Sequence, residues 1–235
     1  MKCPWKSLSV FFPVFNEAEV LPDLVHRALE VLEGFDLEAY EVIVIDDGSA
    51  DASGKIADGL AMANKHVRVV HHERNMGYGA ALSSGFAAAR YDWVVYTDGD
   101  GQFDLSDLAR FFEGSQRADA VLGYRRERQD HLGRKLNAWL WGGLVRLVLG
   151  LKVRDVDCGF KLIKTDRVRG LGTLSARGAV ISPELLLKLR AGGCRWEEVE
   201  VRHYPRMTGA PSGANLKVIL RAVRELWQLR RTLGA

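Results

Sequence analysis

Over the first 125 residues, short apolar runs alternate with longer segments whose apolar positions recur every three to four residues. The short runs are Leu8 to Phe12, Glu41 to Ile45, Val67 to Val70, Trp93 to Thr97 and Ala120 to Gly123. They are rich in β-branched and aromatic residues, and turn-forming residues cut them off, so they predict strands. Between the first two, Val20, Leu21, Leu24, Val25, Ala28, Leu29 and Leu32 form a helical stripe. Asn16 is the expected N-cap of that helix, with Glu17 and Glu19 at the positive end of its dipole. Ile56, Leu60 and Ala63 predict the inward face of a second helix. Gly77-Tyr78-Gly79 opens an alanine-rich helix to about Arg90, and a further helix is expected from about Leu105 to Ser115. Strands alternating with helices of this length imply βαβ units and a mainly parallel sheet flanked by helices, an α/β fold.

The second half is less regular. The pattern predicts a helix from His131 to Leu151, a strand from Cys158 to Ile163, a helix from Pro183 to Arg190 and a strand from Trp196 to Val201. Asn215 to Leu233 reads as a long amphipathic helix. No linker or repeat divides the chain. Residues 1–212 are expected to form one catalytic domain, and 213–235 an amphipathic C-terminal helix that belongs to it or touches a membrane surface.

Composition narrows the classes. The 235 residues are 47% hydrophobic, enough for a sizeable core, and the net charge is +3, which gives no global field for nucleic acid. Cys3, Cys158 and Cys194 have no metal-ligand spacing and fit free thiols of a reducing cytosol. No signal peptide and no transmembrane helix are expected.

The segment Trp93 to Gln102 carries the most specific chemistry. A buried strand runs into Asp98-Gly99-Asp100-Gly101, which puts two carboxylates one residue apart at the carboxyl end of the strand. Ligands of open α/β sheets bind at that edge. Paired carboxylates can hold a hard divalent cation, which in turn holds phosphate oxygens. Two further turns fall at strand ends: Pro13-Val14-Phe15-Asn16-Glu17 and Asp46-Asp47-Gly48-Ser49. Each alone is weak, because Asp-Gly turns are common for backbone reasons. In a parallel sheet all three converge.

That set, together with Asn75-Met76-Gly77-Tyr78-Gly79-Ala80-Ala81, resembles family 2 glycosyltransferases of the Rossmann-like GT-A fold. Gln102, Gly123-Tyr124-Arg125, Arg134 and Asp157-Cys158-Gly159-Phe160-Lys161 are most similar to the polyprenyl-phosphate (dolichol-phosphate) sugar synthases within it. The resemblance implies an inverting transfer of a hexose from a nucleotide-diphosphate sugar, of UDP-glucose or GDP-mannose type, to a polyprenyl phosphate. Pro13, Glu17, Asp46 and Asp47 would then line the nucleotide pocket. Asp98 and Asp100 would hold Mg²⁺ or Mn²⁺ against the donor diphosphate. Gln102 would lie beside the metal and the donor sugar, and Arg125 and Arg134 would hold the acceptor phosphate. Arg206, in a loop similar to the family's R-x-x-G-x-S segment, would reach the diphosphate. The chain departs from that segment, with Pro211 in the serine's place and Ser212 one later.

Two segments bear on membranes. Leu136 to Leu151 and Asn215 to Leu233 combine tryptophan with basic and aliphatic residues, the composition of helices that lie on anionic lipid. The expected location is cytoplasmic, peripheral at the inner face of the cell membrane; packing against the core or a second copy of the chain is the competing use. Two other functions stay open. The same fold could act on a soluble saccharide or small molecule with Asp157 or Glu184 as base, or bind nucleotide sugars without catalysis.

Overall fold

A computed structural model describes residues 3–125, 132–172, 174, 176, 180–205 and 216–233. The strands are β1 (Ser7–Val14), β2 (Ala39–Asp46), β3 (Val67–His71), β4 (Trp93–Tyr96), β5 (Ala120–Arg125), β6 (Lys161–Lys164) and β7 (Trp196–Val201). They form one seven-stranded sheet in the order β3-β2-β1-β4-β6-β5-β7. Every described pairing is parallel except those of β6, which runs against β4 and β5. The carboxyl ends of β1 to β5 and β7 therefore share one edge.

Eight α-helices flank the sheet among the described residues: α1 (Leu21–Glu33), α2 (Ser53–Ala63), α3 (Tyr78–Ala88), α4 (Phe112–Arg117), α5 (Leu132–Leu149), α6 (Thr165–Arg169), α7 (Ile181–Ala191) and α8 (Leu216–Leu233). Successive strand residues point to opposite faces, so a strand covered on both sides must be apolar throughout. β1 meets this requirement from Val10 to Val14, while the buried Ser9 donates its hydroxyl to Glu41 Oε1 (2.8 Å). Phe11 packs with Ile43, Leu82, Phe86, Tyr96 and Leu185 on one face, and Val10 and Phe12 pack with Leu24, Val25, Val44 and Leu108 on the other. Phe11 stacks on Tyr96 with centroids 5.6 Å apart and meets Phe86 edge-on at 5.2 Å. A Cβ on Gly85 would fall 2.3 Å from the Phe11 ring, so α3 reaches the sheet only because that position is bare.

Several elements depart from the pattern. Asn16 does not cap α1. It takes a left-handed backbone (φ 57°) and turns its side chain to the next loop, while α1 begins five residues later. Ala63 is exposed, and Ser53 and Ala57 form the buried face of α2. The helix expected from Leu105 opens as a 3-10 helix over Leu105–Phe111 before α4. Its buried Leu105, Leu108 and Phe111 recur every three residues, which suits 3-10 rather than α geometry. β6 starts at Lys161, three residues later than expected, and α6 was not foreseen.

α5 splits its apolar residues between two faces. Val145, Val148 and Leu149 are buried, whereas Trp139 and Leu147 are 73% and 79% exposed. α8 packs against α5 and α7, burying Leu226 and Leu229. No described helix is long and apolar enough to cross a membrane.

Candidate active site

The turns that leave β1, β2, β3 and β4 interlock at the carboxyl edge. The Asn16 N–H donates to Ser49 Oγ (3.0 Å), and Asn16 Oδ1 accepts from the N–H of Ala50 (2.8 Å). The left-handed backbone at Asn16 is what turns its amide toward that loop, a conformation asparagine tolerates better than most residues. Glu17 is nearly buried, and its N–H donates to Ser53 Oγ (2.9 Å). The Asp47 N–H donates to the carbonyl of Val14 (2.9 Å), which ties the second turn to the first.

Both carboxylates that follow β2 are buried and heavily engaged. Asp46 accepts from Ser49 N–H (3.0 Å) and meets His71 Nδ1 (2.9 Å). Its partners, Asp46 first and then Asp58, raise the His71 pKa above the ordinary imidazole value. Asp47 accepts from His72 Nδ1 (2.6 Å) and from the N–H groups of Met76 (2.9 Å) and Gly77 (2.8 Å).

The Asp98-Gly99-Asp100 turn is held from three sides. Tyr78, the first residue of α3, donates its hydroxyl to Asp98 Oδ1 (2.6 Å). Burial and the Asp98 charge push that phenol well above its usual range, so it remains a donor. Gly159 lies against the same carboxylate: a Cβ there would fall 2.3 Å from Asp98 Oδ2. A Cβ on Gly99 would fall 2.5 Å from the Pro13 carbonyl, so the third turn touches the first. Asp100 accepts from the Gln102 N–H (3.1 Å). The Gln102 side chain donates to the Tyr204 carbonyl (2.9 Å), and the Tyr204 N–H returns a bond to Gln102 O (2.8 Å).

The donor set at this turn fits a divalent cation. No group of three or more His, Cys, Asp or Glu that could hold a metal occurs among the described residues. Two adjacent hard carboxylates suit instead a Mg²⁺-like ion that draws its other ligands from phosphate and water.

Beyond β4 the edge continues through the turn before β6. Arg125, at the end of β5, makes a two-pronged pair with Asp155, Nε at 2.6 Å and Nη2 at 2.9 Å. Both side chains are buried, and the pair keeps the guanidinium pKa above its ordinary value. Asp157 accepts from the Trp141 indole N–H of α5 (3.2 Å). Burial first, and then the Asp155 charge, raise its pKa to about 6. Burial pushes the Cys158 thiol up to about 12, which leaves it inert as a nucleophile. Glu184 is buried on α7, where it pairs with Lys188 (2.9 Å) and accepts from Ala176 N–H (2.6 Å).

Pro13, Glu17, Asp46, Asp47, Asp98, Asp100 and Gln102 thus gather at one edge. Arg125 lies at the end of β5, facing Asp155. Arg134 lies in the first turn of α5, with its side chain outside the described residues, as are Arg206 and Ser212 altogether. Sequence reasoning did not single out Tyr78, Asp155, His71 or His72 as site residues. Asp155 meets Arg125 across 30 positions, a pairing that no local pattern signals.

A mainly parallel sheet whose carboxyl edge carries an Asp-Gly-Asp turn locked among acidic turns is the architecture of a GT-A glycosyltransferase. The model of the family "Glycosyl transferase family 2" matches residues 9–171, and the chain belongs to that family. Among curated relatives, glycosyltransferase AglD of Haloferax volcanii is 33% identical over 85% of the chain. The chain spans only 33% of that relative's length. Undecaprenyl-phosphate mannosyltransferase of Micrococcus luteus is 29% identical over 84% of the chain and 83% of its own length. Dodecaprenyl-phosphate galacturonate synthase of Rhizobium johnstonii is 31% identical over 69% of the chain and 49% of its length. Of solved structures, glucosyl-3-phosphoglycerate synthase of Mycobacterium tuberculosis, crystallised with Mn²⁺, UDP and glucosyl-3-phosphoglycerate, superposes with a TM-score of 0.63. The match covers 97% of this chain and 80% of that one at 22% identity, a likeness of fold.

Gly159→Ala is expected to displace the Asp98 carboxylate and cut sugar transfer by about tenfold or more while the protein still unfolds cooperatively, which paired activity and thermal-melt measurements would check. Asp157 titrates near 6 when folded, above the ordinary 3.8. Its contribution to stability is therefore full below about pH 4 and is lost as pH rises through about 6. Asp157→Asn keeps the acceptor for Trp141 and removes this loss. Its stability relative to the native chain should rise between about pH 4 and pH 7, by up to about 3 kcal/mol, as read by urea unfolding at both pH values.

Proposed function

We propose that this protein transfers a hexose, with inversion, from a nucleotide-diphosphate sugar of UDP-glucose or GDP-mannose type to a polyprenyl phosphate, undecaprenyl or dolichyl. The observation that carries this reading is the Asp98-Gly99-Asp100 turn. It is locked by Tyr78 and Gly159 at the ligand-binding edge of a sheet, in a chain whose relatives include an undecaprenyl-phosphate mannosyltransferase.

Asp98 and Asp100 would hold Mg²⁺ or Mn²⁺. When bound, that ion neutralises charge on the leaving nucleoside diphosphate. The pocket that receives the nucleotide is built by Pro13, Glu17, Asp46 and Asp47, and Arg206 would add a cation for the diphosphate. A phosphate acceptor is anionic at neutral pH and needs no strong base. What it needs is a cationic seat. Arg125 and Arg134 would supply it, with the phosphate sharing or replacing Asp155 as the partner of the Arg125 fork. Such an exchange never leaves the buried guanidinium unpaired, a state that costs about 3–5 kcal/mol.

The outward faces of α5 and α8 would bring the edge to its lipid. Trp139, Leu140, Leu147 and Trp227 are exposed there beside the exposed Arg146, Arg224 and Arg231. Exposed apolar residues on helices that also carry exposed arginines suit an anionic bilayer surface, at the inner face of the cell membrane.

A second reading is that a soluble hydroxyl acceptor is used, with Asp157 as its base. Asp157, with a pKa near 6, has the basicity a general base needs near neutral pH.

Incubation with undecaprenyl phosphate, each candidate donor and Mg²⁺ or Mn²⁺ should give lipid-dependent release of nucleoside diphosphate with one donor, and Asp98→Ala should lower it by about a thousandfold or more. Release that ignores the lipid but responds to a soluble saccharide would establish the second reading instead. The protein should also co-sediment with vesicles containing anionic lipid at low salt, and Trp139→Ser with Leu147→Ser should lower the bound fraction; absence of sedimentation would refute the membrane contact.

A further inference from the structure

Two consecutive histidines, His71 at the end of β3 and His72 just after it, are used by none of the roles proposed above. The register pairs Asp46 with His71, and the His72 N–H donates to the Asp46 carbonyl (2.9 Å), which brings its imidazole to Asp47. Successive residues along a strand direction alternate between faces, and the two imidazoles reach opposite layers of the molecule. His71 bridges Asp46 to Asp58 of α2, at 2.9 and 3.0 Å. His72 bridges Asp47 to Ser84 of α3, at 2.6 and 2.8 Å.

The His72 bridge is the more enclosed. Its side chain is 8% exposed and that of Asp47 5%, against 42% for His71. An ionised carboxylate can only accept, so His72 Nδ1 donates to Asp47 and Nε2 faces the Ser84 hydroxyl. The same carboxylate accepts from the backbone of Met76 and Gly77. The next residue is Tyr78, whose hydroxyl holds Asp98. An unbroken path therefore runs from Ser84 through His72, Asp47 and the Met76–Gly77 backbone to the carboxylate of the Asp-Gly-Asp turn.

The order Ser84–His72–Asp47 has the connectivity of a nucleophilic triad. Ser84, however, lies inside α3, where the backbone N–H groups are spent on the helix and none is left to stabilise an oxyanion. What the relay can transmit is position.

We propose that His72 is a positioning residue for the donor site: by holding the Asp47 carboxylate it fixes the Met76–Gly77 backbone, and through it Tyr78 and Asp98. The inference rests on the reading that this edge binds a nucleoside diphosphate with a divalent cation. Without the His72 donor the buried Asp47 carboxylate is short of a bond and free to shift, and the Met76–Gly77 backbone that it holds shifts with it. The effect should fall on donor binding and leave the acceptor side, beyond β4, unchanged.

The test is calorimetric titration of UDP and GDP with Mn²⁺, alongside steady-state kinetics, for three variants. His72→Leu removes both bonds and should weaken nucleotide binding by about tenfold or more, with the donor KM rising in step and the acceptor KM unchanged. His72→Asn puts an amide N–H where Nδ1 stood and should bind within about threefold of the native chain. His72→Gln places its amide at the Nε2 end, leaves Asp47 without its donor, and should show the loss even if His72→Leu does not fold. Native-like nucleotide binding by a folded His72→Leu or His72→Gln would overturn the proposal, as would equal rises in donor and acceptor KM. A native chain that binds neither nucleotide with Mn²⁺ would refute the reading of the edge itself.

Discussion

Carboxylates taken out of water need donors, and this requirement organises the whole carboxyl edge. An unpaired buried charge costs several kcal/mol, so each acidic turn is stable only if a neighbouring element supplies N–H or O–H groups to it. Asp46 takes Ser49 and His71, Asp47 takes His72, Met76 and Gly77, Asp98 takes Tyr78, Asp155 takes Arg125, and Asp157 takes Trp141. Nearly every donor comes from a different element than its acceptor. The site is thus built by the same bonds that join β2 to β3 and α3, α3 to β4, and β5 to the turn before β6.

That last turn depends on a buried cation. Lys161 is fully buried at the start of β6, and its Nζ donates to the carbonyls of Val156 and Cys158 while lying 5.6 Å from the Tyr96 ring centre. A lysine enclosed this way closes the turn on itself. The closed turn carries Gly159 to Asp98 on one side and Asp155 to Arg125 on the other. The antiparallel placement of β6 between β4 and β5 is what allows one short loop to serve both strand ends.

Much of this was legible in the residues themselves. Short apolar runs rich in β-branched and aromatic residues marked the parallel strands, because a strand covered on both faces is largely apolar. The three acidic turns and the glycine-rich opening of α3 were visible through their turn-forming residues. Partnerships were not. Asp46 and Asp47 read as groups waiting for a nucleotide, yet the fold gives each at least two protein partners. Gln102 read as a neighbour of metal and sugar, and its amide holds Tyr204. Asn16 read as a helix cap, and it closes the adjoining loop.

Local pattern determined the order of strands and helices, the apolar core and the positions of the acidic turns, since each follows from side-chain periodicity and turn chemistry within a few residues. Tertiary structure alone decided which donor meets which carboxylate, that β6 runs antiparallel, and that Gly159 rather than a side chain faces Asp98. Those contacts join residues tens of positions apart, and only the register of the sheet brings them within hydrogen-bonding reach.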